Sequence, residues 1–186
     1  NIRETRVHYD LKKKKETSNR YKLAIVLSGP EPQRTVLENI IVPQLQLITG
    51  SIVLVRGLPG STEMLSNIPE NTVAYNHLPA LALNEVMQQS ELVLCRAGYS
   101  TIMDLVTIGK PAVLVPTPGQ TEQEYLATYL SSNRMFYTMK QEQLSLENIF
   151  EMVNRENFKP NMAVTFNETP VVQWLETIAG RKKSST

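Results

Sequence analysis

Polar side chains and glycines are concentrated in three loops, at residues 28–34, 95–104 and 116–125, and each loop follows a short apolar run. Each leads into a segment that has the apolar spacing of a helix. Free N–H groups at the start of a helix attract anions, and amide and carboxylate groups hydrogen-bond hydroxyls. These residue types in these places therefore indicate a ligand that carries phosphates and hydroxyls.

The second loop is the strongest candidate for a diphosphate site. Gly98 lets the backbone approach a ligand closely, and the N–H groups from Tyr99 to Ile102 can surround a pyrophosphate. Asp104 lies about one turn further along, where a carboxylate can hold the two hydroxyls of a ribose. The pattern Thr101-x-x-Asp104 also fits a capping box, in which the acid only accepts a backbone N–H group. Both interpretations of Asp104 stay open at this point.

The third loop combines a rigid turn with a polar helix start. Two prolines and a glycine shape the turn, and Thr121-x-x-Glu124 fits a second capping box. Capping does not account for Gln120, Glu122 and Gln123 in the same few residues. This density of amides and carboxylates favours contact with sugar hydroxyls over an ordinary solvated helix start.

The first loop gives a weaker signal, because it has neither the G-x-G-x-x-G fingerprint nor the P-loop lysine pattern. Gly29 permits close backbone approach at the next helix start, and Arg34 adds a charge, but Pro32 suits a plain turn into a helix equally well. His77, near an apolar segment, has a structural interpretation at least as strong as a ligand-binding one. His8 is the other histidine of the chain, so no catalytic triad can be assembled in an obvious way.

The elements that position these loops are visible as apolar runs that alternate with helical segments. The runs are continuous, which predicts strands that are buried on both faces. Strands are predicted at 23–27, 51–55, 72–75, 92–95, 112–115 and 135–137, and helices at 33–48, 80–89, 101–108, 121–131, 146–153 and 169–178. This order predicts an α/β, Rossmann-like parallel sheet with helices on both faces, in which ligands bind outside the carboxyl ends of the strands.

The length of 186 residues fits one domain, with a polar arm or linker at 1–22 and the ligand-binding, Rossmann-like domain at 23–186. A formal net charge of +1 gives no general reason to bind nucleic acid. The single cysteine, Cys95, suits a cytoplasmic protein, and the usual metal-ligand patterns are missing. The first residue is not methionine, so we expect a piece of a longer polypeptide.

Read together, the motifs Cys-Arg-Ala-Gly-Tyr-Ser-Thr-Ile-Met-Asp-Leu, Gly-Lys-Pro-Ala-Val-Leu-Val-Pro-Thr-Pro and Gln-Thr-Glu-Gln-Glu-Tyr-Leu-Ala resemble the C-terminal domain of MurG-like glycosyltransferases. This is the GT-B group that includes the peptidoglycan N-acetylglucosaminyltransferase, and the resemblance spans residues 23–130. It implies the C-terminal, donor-binding half of a GT-B fold. The acceptor surface and the catalytic base are then expected in a missing N-terminal domain, so the catalytic residue of this chain is unknown, and no metal or cofactor is implied.

By position, the resemblance puts the diphosphate at 98–101, the ribose at Asp104 and the donor sugar near Gln123. Backbone groups around His77 and Leu78 would hold the uracil, and the turn after the first strand would face the cleft. The full set of expected substrate-binding residues is Ser28, Gly29, His77, Leu78, Arg96, Gly98, Tyr99, Ser100, Thr101, Asp104, Gln120, Glu122, Gln123 and Glu124.

The implied reaction is transfer of a hexose, for instance N-acetylglucosamine, from a UDP-sugar to an acceptor hydroxyl. Acceptors in the family are often lipid-linked, which implies a cytoplasmic protein that works at the inner face of a membrane. Two other functions stay open: half of a UDP-sugar epimerase, and a non-catalytic donor-binding subunit of a split glycosyltransferase. Release of UDP without an acceptor would indicate the first, and activity that needs a separate partner chain would indicate the second.

Overall fold

A six-stranded parallel sheet forms the centre of the molecule, in the order β3-β2-β1-β4-β5-β6. A computed structural model describes residues 20–156 of the chain. The predicted Rossmann-like sheet is confirmed, whereas nearly all of the predicted arm and the helix predicted at 169–178 lie outside the described residues. The strands are β1 Tyr21–Val26, β2 Ile52–Val55, β3 Thr72–Tyr75, β4 Ser90–Cys95, β5 Ala112–Leu114 and β6 Tyr137–Thr138.

Five α-helices cover the sheet: α1 Gln33–Ile41, α2 Ala80–Gln88, α3 Tyr99–Ile108, α4 Thr121–Ser132 and α5 Leu146–Glu156. Two 3-10 helices, Val42–Leu47 and Gln141–Gln143, complete the described elements. The single helix predicted over 33–48 is therefore shorter than expected. Pro43 explains the change, because proline has no N–H group to donate and its ring clashes with the carbonyl four residues earlier.

The core consists of two apolar layers, one on each side of the sheet. Ile41 of α1 and Ile149 of α5 lie in one layer, and Leu105 of α3 and Leu130 of α4 lie in the other. Alternate residues of the central strands enter opposite layers and are almost inaccessible to solvent. Burial on both faces is the reason that the strands read as continuous apolar runs.

The chain changes direction across the sheet between β1 and β4, which are neighbours although β2 and β3 intervene in sequence. The helix that follows β1 packs on one face, and the helix that follows β4 packs on the other. Their starts diverge above the carboxyl ends of these strands, and such a switch point is where open α/β sheets bind ligands. None of the described helices is both long enough and apolar enough to cross a membrane.

Candidate functional site

The start of α3 lies at this switch point and offers free backbone donors. Gly98 is the N-cap, with φ −80° and ψ 138°, and the N–H group of Ile102 donates to its carbonyl at 3.0 Å. The N–H groups of the first three helical residues therefore precede the intrahelical hydrogen bonds. A Cβ atom added at Gly98 would meet no atom within 4 Å, so the space beside this backbone is open. The geometry suits an anion.

Asp104 is the sixth residue of α3, and its side chain is exposed. The capping box considered for Thr101 and Asp104 is wrong, because α3 begins two residues earlier than predicted and Gly98 caps it without a side-chain hydrogen bond. Among residues 20–156 the Asp104 carboxylate has no hydrogen-bond or ion-pair partner. Ribose binding by Asp104 stays a prediction.

Polar side chains at the start of α4 hold the loop that follows β5. Oε1 of Gln123 accepts a hydrogen bond from the N–H group of Thr117 at 3.0 Å, and Oε1 of Glu124 accepts one from the N–H group of Gly119 at 3.0 Å. Nε2 of Gln123 also donates to Oε1 of Gln120 at 2.5 Å. These three side chains thus brace their own loop, a role that the sequence did not indicate.

The second predicted capping box is also wrong in its register. The N-cap of α4 is Gln120, which makes Thr121 the first helical residue, and no side chain caps the helix. Glu124 nevertheless satisfies a backbone donor just before the helix. Glu122 is exposed and has no polar partner in the described part of the chain, so it is the acid of this loop that stays available to a ligand.

The turn after β1 depends on a glycine that sequence reasoning missed. Gly57, two residues after β2, has φ +70°, and a Cβ atom added there would lie 2.3 Å from the carbonyl oxygen of Leu27. Its backbone therefore packs directly against Leu27 and Ser28, which is half-buried. Gly29, the next residue of the turn, is exposed and has φ +103°. A glycine two residues after a buried strand was the available signal.

A buried charge cluster lies between α1 and the carboxyl end of β2. Nη2 of Arg56 is 2.8 Å from Oε1 of Glu38, and Nη1 of Arg34 donates to the other oxygen of the same carboxylate. Burial raises the pKa of Glu38, but hydrogen bonds and charge from Arg56 and then Arg34 outweigh burial, and the net pKa lies below its ordinary value. Arg34, which the sequence offered as a charge for a ligand, is thus occupied within the protein; it also donates to Glu31.

The same charge cluster contacts the segment that is expected to hold the uracil ring. Nη1 of Arg56 donates to Oδ1 of Asn76 at 2.7 Å, directly before the exposed His77. Leu78 is half-buried and packs against the apolar layer formed by α2, α3 and α4. His77 and Leu78 follow the edge strand β3, and α2 then carries the chain back over β1 and β4.

Arg96 and Cys95, at the end of β4, are both buried. The Arg96 side chain was expected to contact the ligand, but the residue is only 1% exposed and its guanidinium binds protein acceptors. Burial raises the pKa of the Cys95 thiol to about 12, so this cysteine stays protonated near neutral pH. Residues 20–156 contain no group of three or more His, Cys, Asp or Glu side chains that could hold a metal ion.

The structure thus brings the residues around Ser28, Gly98 and Gln123 to the ends of β1, β4 and β5, three adjacent strands. Residues 26–171 match the model of the glycosyltransferase family 28 C-terminal domain. The chain belongs to this family. The predicted resemblance to MurG-like glycosyltransferases is therefore confirmed.

The family 28 domain of this chain is also similar to individual proteins of known name or structure. It is 29% identical over 132 residues to the UDP-N-acetylglucosamine--N-acetylmuramyl-(pentapeptide) pyrophosphoryl-undecaprenol N-acetylglucosamine transferase of Lawsonia intracellularis, covering 67% of this chain and 35% of that protein. The crystal structure of MurG from Acinetobacter baumannii superposes with a TM-score of 0.57 at 21% identity, covering 77% of this chain and 44% of that one. The solution structure of ALG13 superposes with a TM-score of 0.57 at 13% identity, covering 81% of this chain and 93% of that one. The family 28 domain thus spans about a third of the Lawsonia enzyme.

Proposed function

We propose that this domain binds the UDP-sugar donor of a glycosyltransferase that moves a hexose, with N-acetylglucosamine as the first sugar to test, onto an acceptor hydroxyl. The observation that carries the proposal is the open start of α3 at the switch point, with the exposed Asp104 further along the same helix. The N–H groups after Gly98 bind the diphosphate, and the Asp104 carboxylate accepts hydrogen bonds from the ribose hydroxyls.

The remaining loops contact the two ends of the donor. Backbone groups at His77 and Leu78 hold the uracil, and the turn at Ser28 and Gly29 closes one side of the cleft. On the other side Gln120, Glu122, Gln123 and Glu124 face the sugar. Three of these side chains already brace their loop, so the loop is held in place before the sugar arrives.

This arrangement contributes to transfer by stabilising the leaving group. Negative charge grows on the diphosphate as the bond to the sugar breaks, and fixed N–H donors at a helix start stabilise that charge. We assign no base to this chain, and we place the base and the acceptor surface in an N-terminal domain. The chain covers only 35% of the Lawsonia enzyme, which supports this division. A lipid-linked acceptor, and hence work at the inner face of a membrane, is part of the proposal.

Titration of the 186-residue chain with nucleotides tests donor binding. UDP and UDP-N-acetylglucosamine should bind more tightly than ADP or GDP, and amide NMR signals of residues 98–104 should shift. Incubation with a donor and a panel of acceptors should give no transfer, because half of a cleft neither excludes water nor supplies a base. Equal affinity for UDP, ADP and GDP would contradict the proposal, and robust turnover would show that the cleft is complete without a second domain.

One observation favours a second candidate, a donor-binding subunit that works with a separate partner chain. The match to ALG13 covers 93% of that chain, so a solved chain of this fold exists at nearly this size. Activity that returns only when a separately expressed acceptor chain is added would support the subunit. Formation of free UDP from the chain and a donor, with no acceptor present, would instead indicate an epimerase.

A further inference from the structure

The guanidinium of Arg96 is buried between the first and third loops of the proposed donor site. Its Nη2 donates to the carbonyl of Gln33, the first residue of α1, at 2.8 Å and to Oε1 of Gln141 at 2.6 Å. Its Nη1 donates to the carbonyls of Val115 at 3.3 Å and Pro116 at 3.4 Å, at the end of β5. The group, which itself follows β4, is therefore enclosed by the segments that follow β1, β5 and β6.

Arg96 carries a buried charge without a counter-ion. All of its acceptors are neutral, and no carboxylate within residues 20–156 forms an ion pair with it. The other two arginines that are buried in the described part of the chain, Arg34 and Arg56, both bind Glu38. Burial lowers the pKa of Arg96 to about 10, and the group still carries its charge near neutral pH.

Such a charge is unfavourable in the empty protein, because burial removes water and no acid replaces it. The neighbouring helices add to the positive potential, since the starts of α1 and α3 are the positive ends of their dipoles. The guanidinium and the two helix starts thus place positive charge at the carboxyl ends of the strands, in a chain whose formal net charge is only +1. A bound anion at this edge would neutralise it.

We propose that Arg96 is a positioning residue that supplies charge for the donor diphosphate from beneath the site, without touching the ligand. This inference rests on the donor-binding function proposed above. A charge enclosed by protein interacts with a nearby ligand through a medium of lower effective dielectric than water, and salt screens it less than a surface lysine. Its hydrogen bonds to neutral acceptors offset part of the free energy lost when the guanidinium is buried, and the bound diphosphate offsets more of it.

The test is to give Arg96 a counter-ion, by the substitution Gln141→Glu. The two side chains have nearly the same shape, and Gln141 already accepts from Arg96, so a carboxylate fits there and forms an ion pair. The Gln33 side chain, which accepts from Nε2 of Gln141, can turn its amide to donate instead. Affinity for uridine, UMP and UDP is measured by titration calorimetry of the 186-residue chain.

We expect Gln141→Glu to lower the affinity for UDP by roughly tenfold, to lower the affinity for UMP less and to leave the affinity for uridine unchanged. The melting temperature should not fall. If Arg96 has only a structural role, the new ion pair should leave the affinity for UDP unchanged. Gln141→Met is the matched control: it removes the same acceptor without adding charge, and it should keep the preference for UDP over uridine.

Variants of Arg96 itself decide the matter if Gln141→Glu does not fold. Arg96→Lys keeps the charge and should keep the preference for UDP, and Arg96→Gln should reduce it. An unchanged preference for UDP in Gln141→Glu, or equal losses for uridine and UDP, would overturn the role of Arg96 alone. A wild-type chain that does not bind UDP would overturn the proposed function, and that measurement comes first.

Discussion

Arg56 and Glu38 form a buried ion pair that joins the end of β2 to the middle of α1, with Nη2 of the arginine 2.8 Å from Oε1 of the glutamate. Arg56 also donates to the carbonyl of Glu63 at 2.8 Å and to Asn76 at 2.7 Å. Arg34 binds the same carboxylate from within α1. One acid thereby holds two arginines, and through them the loops after β2 and β3.

Replacing Glu38 should therefore damage the fold. Glu38→Gln leaves Arg56 and Arg34 buried without their shared counter-ion, and loss of one member of a buried pair lowers the free energy of unfolding by about 3 kcal/mol. Urea denaturation followed by circular dichroism measures the change. Glu31→Gln is the control, since Glu31 binds the same Arg34 at the surface and should cost far less. Similar losses in the two variants would contradict a central role for Glu38.

The same acid predicts how stability depends on pH. The pKa of Glu38 lies below its ordinary value of 4.5. As the pH falls, this carboxylate is therefore protonated at a higher pH in the unfolded chain than in the folded one. Its contribution is fully present above the unfolded pKa and is lost as the pH falls through the folded pKa. The difference in unfolding free energy between wild type and Glu38→Gln should shrink between about pH 6 and about pH 3. A difference that stays constant over this range would count against the ion pair.

Gly57 should tolerate no side chain. Gly57→Ala puts a Cβ atom 2.3 Å from the carbonyl oxygen of Leu27, in a backbone with φ +70°. We expect the free energy of unfolding to fall by at least about 2 kcal/mol, because the backbone at Leu27 or at Gly57 must move to relieve this contact. Gly60→Ala is the matched control: Gly60 has φ +83° but open space around it, so only the conformational strain of about 1 kcal/mol applies. Equal losses would show that the contact with Leu27 is unimportant.

The strands could be predicted because burial on both faces leaves a direct mark on composition. Residues 92–95 are continuously apolar, and they lie in the buried part of β4. Helix starts were harder to place, because a start depends on where the backbone turns rather than on the side chains. The helix predicted from Thr101 begins at Tyr99, and that shift removed the structural explanation of Asp104.

Contacts between distant segments left no mark in the sequence. The acceptors of Arg96 include Gln33, Val115 and Gln141, which come together only when the sheet forms. Nothing in the local motif around Arg96 distinguishes a buried arginine from one that contacts a ligand. The support that Gln123 gives to Thr117 was hidden for a similar reason, since a polar residue at a helix start has many possible partners.

Substitution of Gly98 should affect binding of the proposed donor much more than the stability of the fold. Its φ of −80° is accessible to any residue, and a Cβ atom there would meet nothing, so Gly98→Ala should cost no more than about 1 kcal/mol, the difference between glycine and alanine at an N-cap. In the proposed donor site, the added methyl group would occupy space that the diphosphate needs. UDP affinity should fall by about tenfold, equivalent to about 1.4 kcal/mol, while uridine affinity is unchanged. Unaltered UDP binding in calorimetry would place the diphosphate elsewhere.

Asp104 gives the most direct test of the ribose contact, because in the described part of the chain its carboxylate binds nothing. Asp104→Asn should leave the melting temperature nearly unchanged, since α3 is capped at Gly98 and does not use this side chain. If the carboxylate accepts hydrogen bonds from the ribose, the variant loses charge-assisted bonds of about 1.5 to 3 kcal/mol, and UDP affinity falls by about tenfold or more.

Comparison of UDP with 2′-deoxy-UDP makes this result specific to the ribose. The wild type should prefer UDP, and Asp104→Asn should lose most of that preference, because the 2′-hydroxyl then has a neutral amide oxygen as its acceptor in place of a charged carboxylate. Glu151→Gln controls for the loss of a surface charge: Glu151 is exposed on α5, the helix on the opposite face of the sheet, and its removal should preserve the preference. An Asp104→Asn chain that still prefers UDP as strongly as the wild type would exclude Asp104 from the ribose site, since no other role of this carboxylate within residues 20–156 could conceal the loss.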